Sequence, residues 1–328
     1  MFQLHREVWQ VMTKHWATFI AGMALSACAI AQAPAQTGNQ PGAAAAKPTQ
    51  PSGRPPIQAR NQAEFEAFQT AAANAPNAAA MEKAADDFAV KFPDSQLRVL
   101  LYRTAMHSYQ TAGNSAKMME MGLKVLGIDK DDPEALIGVA EVQEEHTSAT
   151  DLDRDQRMNQ ALANAQHALE TVDTDLAVPA GTPPDRVETY KKYLRATAFE
   201  IIGTIQYKRE QYADAETNLR KAIEIDPGNP DAVVILRLAL ALDQEKKYAE
   251  ALPHAKRAVE LTTEDTDVGK MARNERDRLI LQTGGNNTPV TSNSPSDSTG
   301  GSAPTASPQQ NVPAPPADAP KNPAPPNR

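Results

Sequence analysis

The residues of this chain that could do chemistry are few and poorly spaced for it. Asp151, Asp153 and Asp155 alternate as the first ligands of a calcium loop do. Gln156, however, stands where the turn glycine of such a loop belongs, and Leu162 where its bidentate glutamate belongs. A helix N-terminus rich in aspartate explains the run without a metal. Met118, Met119 and Met121, with Met106 nearby, offer soft sulfur, but methionine at helical spacing fills cores. His107, His146, His167 and His254 never fall at ligand spacing with one another or with the single cysteine, Cys28, and are read as surface histidines. There is no Gly-rich phosphate loop, no G-x-S-x-G elbow and no H-E-x-x-H. Carboxylate pairs are frequent, and all fit exposed helix faces. The expectation is no catalytic residue, no metal ligand and no cofactor.

What such a chain can offer instead is a surface, and its side-chain rhythm says that helices build it. Phe199, Ile202, Gly203, Tyr212, Ala215, Leu219, Ala222 and Pro227 form one pattern of large and small residues. It returns as Ile235, Leu238, Ala239, Tyr248, Ala251, Ala255 and Ala258. Each copy fits two antiparallel helices, with small residues where the backbones approach and large ones filling the space around them. Asp226-Pro227-Gly228 ends the second helix and turns the chain. This spacing resembles the tetratricopeptide repeat, over Ala196 to Asp265, with repeats at 196–229 and 232–265. The resemblance implies an all-α fold: an α-solenoid of stacked antiparallel helix pairs wound as a superhelix. Gln206 departs from the family in a place usually held by a large residue, with Tyr207 next to it. In residues 61–172, Lys130 replaces the closing proline and Met118 the small residue that opens a second helix.

The same reading extends along the chain. Residues 61–94 predict a first pair, with Phe65, Phe68 and Ala72 on one stripe and Met81, Ala85, Phe88 and Val90 on the next. Residues 97–128 predict a second, turning at Gly113-Asn114. Pro133 opens a third pair, whose second helix runs from Arg157 to Val172. An insertion rich in Pro and Gly follows from Asp173 to Pro184, and a long helix from about Arg186 to Arg209 leads into the first well-formed repeat. A last helix, Thr266 to Gln282, has Val268, Met271, Ala272 and Leu279 on one side and charge elsewhere, as the end-cap of an array requires.

The chain has 328 residues, a formal charge of -8 and 5% aromatics, and its composition is uneven. His5, Arg6 and Lys14 precede a short apolar run from Trp16 to Ala27, which fits a secretory signal over residues 1–31. It is shorter than the roughly 20 residues of a membrane span. Cys28 has two readings. Leu25-Ser26-Ala27-Cys28 resembles the bacterial lipobox, which would make Cys28 a lipidation site; alternatively, ordinary cleavage at Ala29-Ile30-Ala31 removes it. Residues 32–60 (Ala, Pro, Gln) and 283–328 (Pro, Ser, Thr) hold too little apolar surface to offset ordering, and are expected to be a disordered tether and a disordered tail. Residues 61–282 are left as the repeat domain. No Lys/Arg stripe suggests nucleic acid, and membrane contact is expected only through the signal or a lipid on Cys28.

In the family this chain resembles, ligands lie against polar positions of the first helix of each pair, on the concave face. Carried over, those positions are Arg103, His107 and Gln110; Glu134, Glu141, Glu144 and Glu145; Thr197, Glu200, Thr204, Tyr207 and Lys208; and Arg237, Asp243 and Gln244. The mid-groove glutamates would attract a basic peptide segment. The expected protein is an exported bacterial one of this family, in the periplasm or cell envelope or as an outer-membrane lipoprotein. Its expected role is a non-catalytic protein–protein interaction scaffold binding a peptide or helix of a partner in the groove. The alternatives are a structural subunit of an envelope assembly with an empty groove, and a cryptic enzyme or carbohydrate-binding envelope protein.

Overall fold

The structure, a computed structural model, describes residues 53–228 and 231–284. The expected signal peptide, Cys28, most of the expected tether and the tail from residue 285 lie outside the described residues. Eleven helices follow one another among the described residues. They are α1 (Gln62–Ala72), α2 (Ala78–Lys91), α3 (Leu97–Thr111), α4 (Ser115–Ile128), α5 (Pro133–Glu145), α6 (Arg154–Thr171), α7 (Pro184–Lys208), α8 (Tyr212–Ile225), α9 (Ala232–Gln244), α10 (Tyr248–Glu260) and α11 (Asp267–Gln282). None of them is long and apolar enough to cross a membrane.

Local chemistry starts these helices where they start. Side chains of Asn61, Asn77, Asn114, Asp132, Asp231 and Thr266 accept backbone N–H groups of the first turns of α1, α2, α4, α5, α9 and α11. Asp153 precedes α6 and, with Asp151, binds the Arg157 guanidinium at 2.7 and 3.0 Å, so the aspartate run is accounted for at a helix start. Three pairs turn in one way. Gly113, Glu210 and Lys246 have φ of 71°, 61° and 63°, and in each case the next residue's N–H donates at 2.9 Å to a carbonyl five residues back.

Packing follows the chain. Each helix touches the next, and each odd-numbered helix also touches the next odd-numbered one, from α1 through α3, α5, α7 and α9 to α11. Contacts of that extent do not join the even-numbered helices. The odd row is therefore the inner row of an α-solenoid. The core accordingly comes as four patches in series. Small residues set the spacing: a Cβ on Gly203 of α7 would lie 2.8 Å from Cγ and 3.2 Å from the backbone N of Leu219 of α8. Met106, Met118 and Met121 are buried in the first patch as filler.

Residues 53–60 depart from the expected tether. Ile57 is 4% exposed and belongs to the first core patch, and its N–H donates to the Val178 carbonyl at 3.1 Å. Composition missed this because one isoleucine among prolines is too little apolar surface to count, yet enough to fill one slot. That slot is made by the insertion after α6, which carries Leu176 and Ala177 into the core at 5% and 0% exposure.

Candidate functional site

The inner row has two differently furnished stretches. In the first, Arg103 of α3 is 1% exposed, beside Asp132 at 0% and Glu134 of α5 at 3%. Its Nη1 lies 3.2 Å from Asp132 Oδ2 and 3.0 Å from Glu134 Oε2. Its Nη2 donates at 2.7 Å to the carbonyl of Ala177, in the insertion. His107 of α3 pairs with Glu134 through Nε2, and the Tyr190 hydroxyl of α7 hydrogen-bonds the same carboxylate. One guanidinium thus serves two carboxylates in a dry site. Burial pushes the Asp132 carboxyl up to about 6; Arg103 opposes this and the Glu134 charge adds to it. Burial acts on Glu134 in the same sense, but Arg103, then His107 and Tyr190, outweigh it and hold Glu134 well below the ordinary carboxylate range. Tyr190 is raised well above its ordinary value by burial and then by Glu134. Arg103, His107 and Glu134 were expected in an open groove. The structure instead joins them to one another under the insertion, and what they hold is the fold.

The second stretch is open. Between α5, α7 and α9 lies a shallow hollow lined by Glu141, Glu144, Glu145, Thr197, Glu200, Ile201, Val233 and Arg237. Glu144 is 5% exposed, and its carboxylate and its main-chain carbonyl receive Lys208 Nζ at 2.6 and 2.7 Å. Arg237 Nη1 lies 2.9 Å from Glu200 Oε1. Glu141 takes the Gln110 amide at 3.4 Å, and Thr197 donates to the Tyr193 carbonyl at 3.1 Å. The carboxylates outnumber the cations, and Ile201 and Val233 add apolar surface. A cationic side chain with an aliphatic stem suits such a lining.

Six of the residues carried over from the family meet in this hollow: Glu141, Glu144, Glu145, Thr197, Glu200 and Arg237. The others lie elsewhere. Thr204 is buried at 2% exposure. Tyr207 sets its ring edge-on to Tyr212 at 5.6 Å. Asp243 is buried beside Arg278, and Gln244 is exposed at the end of α9. Ile201 and Val233 of the hollow, and Asp132, Ala177 and Tyr190 of the buried cluster, were not foreseen. Ile201 could have been, since it falls four residues after Thr197 on the same helical stripe. Asp132 directly precedes Pro133, where the third pair was expected to open, and nothing in the sequence marked it as a partner of Arg103.

Comparison with known families agrees with this arrangement. The Tetratricopeptide repeat family matches residues 196–229, which hold the second half of α7 and α8. That segment is a tetratricopeptide repeat, a unit that generally serves in protein-interaction scaffolds. No curated protein matches the chain in sequence. Among solved structures it is similar to TTC0263, a thermophilic TPR protein of Thermus thermophilus, at 15% identity and a TM-score of 0.39, covering 66% of this chain and 99% of that one. It is also similar to the assembly chaperone of RpL4 (Acl4), at 13% identity and a TM-score of 0.39 over 67% and 98% of the two chains. A third likeness is to the APC/C hetero-tetramer Cut9-Hcn1, at 11% identity and a TM-score of 0.32 over 67% and 46%.

Proposed function

We propose that this chain is a non-catalytic scaffold that captures a basic peptide or helix of a partner protein in the hollow between α5, α7 and α9. The observation that carries this reading is the gathering of Glu141, Glu144, Glu145 and Glu200 around one hollow of the inner row, where the stretch beside it is filled by the chain itself. The test is affinity capture from envelope extract with the full chain and with a Glu141→Gln/Glu145→Gln variant. Both substitutions keep side-chain volume and leave the Glu144–Lys208 pair in place. A partner held by the wild type and lost by the folded variant supports the reading. Undiminished capture by the variant moves the binding surface away from the hollow and favours a structural subunit with an empty groove.

The place of action is proposed as the bacterial cell envelope, after export. The support is the basic start and apolar run ending at Ala27, with Cys28 directly behind it. Metabolic labelling with a fatty acid, comparing the wild type with Cys28→Ala, decides between a lipid anchor and a released chain.

A further inference from the structure

Residues 53–57, Gly-Arg-Pro-Pro-Ile, lie on the fold as a bound peptide lies on a receptor. Arg54 pairs with Asp129, at the C-terminal end of α4, and both side chains are largely buried, at 20% and 13% exposure. Pro55 and Pro56 are exposed and keep the chain extended, since neither has an N–H to satisfy. Ile57 is the single buried anchor, at 4% exposure, and its N–H donates to the Val178 carbonyl. The segment runs parallel to the insertion: Ile57 bridges Pro179, and Gly53 comes so close that a Cβ there would sit 3.1 Å from the Asp173 carbonyl. One charged contact, a proline spacer, one aliphatic plug and one strand-like hydrogen bond are the parts of an extended-peptide recognition mode.

We propose that Arg54–Ile57 is a linear motif bound in cis, and that the slot it fills is an exchangeable site for an extended Arg-Pro-Pro-aliphatic peptide of a partner. The slot's parts belong to other elements: Asp129 follows α4, and Val178 and Pro179 belong to an insertion fixed by Ala177 and Arg103. Emptying the slot therefore leaves the helix pairs their own contacts. Beyond this attachment the segment has Ala59 on the first core patch and Arg60, which donates to Glu64 and to the Asp94 carbonyl, to set against the entropy of ordering its residues. This inference is independent of the acidic hollow.

The test uses the full chain and a fluorescent peptide with the sequence of residues 51–60. In Ile57→Asp the cis anchor is spoiled and the slot left intact. That variant should bind the peptide saturably, at least about ten-fold more tightly than the wild type, whose own segment competes at high effective concentration. Adding Asp129→Asn should weaken this binding several-fold, and a peptide carrying Asp in place of its isoleucine should not bind. No saturable binding by folded Ile57→Asp, or equal binding by variant and wild type, overturns the proposal. If Ile57→Asp fails to fold, amide exchange in the wild type decides. An Ile57 amide exchanging at least about a hundred-fold faster than that of Ala105 in α3 supports an exchangeable segment, and equal protection overturns it.

Discussion

Arg103→Met should separate the buried cluster's electrostatics from its packing. Methionine keeps much of the side-chain volume in a site where Arg103 is 1% exposed, so the loss is chiefly one charge and three contacts. Asp132 is left as a buried carboxylate without a counter-ion, Glu134 keeps only His107 and Tyr190 of the partners described above, and the Ala177 carbonyl loses its donor. Breaking a buried pair by removing one partner costs about 3–5 kcal/mol. The dependence on pH is the sharper signature. In the wild type, the raised Asp132 contributes stability that is fully present below its ordinary value of 3.8 and lost as pH rises through about 6. The lowered Glu134 runs the other way, present above 4.5 and lost as pH falls through its depressed value, so the two together favour folding most near pH 4 and offset each other above about pH 6. Without Arg103 both carboxyls shift upward from their wild-type values, so both contributions become less favourable as pH rises. Urea unfolding followed by helical circular dichroism should therefore show a larger loss near pH 8 than near pH 5. Asp132→Asn in the Arg103→Met background should recover about 1–3 kcal/mol near pH 8. A loss below about 1 kcal/mol, or one of equal size at both pH values, would refute the reasoning.

Three further outcomes follow from local geometry. Glu210 and Lys246 have φ of 61° and 63°. Relieving a left-handed residue gains about 1–2 kcal/mol and glycine's flexibility returns about 0.5–1, so Glu210→Gly and Lys246→Gly should each stabilise by roughly 0.5–1 kcal/mol in thermal unfolding. Gly203→Val should destabilise by about 1–3 kcal/mol or more, because its Cβ would already meet the Leu219 backbone N at 3.2 Å; a melt unchanged from the wild type would mean that α7 and α8 separate freely. His167 is raised by its hydrogen bond to Asp131, 2.8 Å from Nε2. Its contribution is present below 6.5 and lost as pH rises through the raised value, and with 39% of the side chain exposed it should stay below about 1 kcal/mol. His167→Ala should accordingly flatten the stability profile slightly in that window and leave it unchanged at pH 5 relative to pH 4.

The helix pairs could be read from periodicity because each must show one apolar stripe to its neighbours. Ala215, Leu219 and Ala222 recur on that stripe, and all three are buried where it predicts. Polar positions obey no such rule. Arg103 and Arg237 occupy comparable places on the inner row, and nothing in their spacing distinguishes them. Yet Arg103 is sealed beneath Ala177, while Arg237 lines an open hollow. The difference lies in the segment from Asp173 to Pro184, which has no period to read and whose docking depends on contacts far along the chain, at Arg103 and Ile57.

That segment accounts for the division of the inner row. It puts Leu176 and Ala177 into the core and binds the guanidinium that two buried carboxylates require. The stretch from α3 to the start of α5, at Glu134, is thereby used up in holding the fold. Removal of a polar side chain should thus have opposite meanings in the two stretches. Beneath the insertion it leaves a buried charge unmatched and lowers stability. At Glu141 or Glu145, on the open hollow, it should cost less stability and change what the hollow can hold. A set of substitutions along the odd-numbered helices, each scored for unfolding and for capture, should split at the boundary between α3 and α7. Stability losses scattered evenly along the row would mean that the insertion is not the divider.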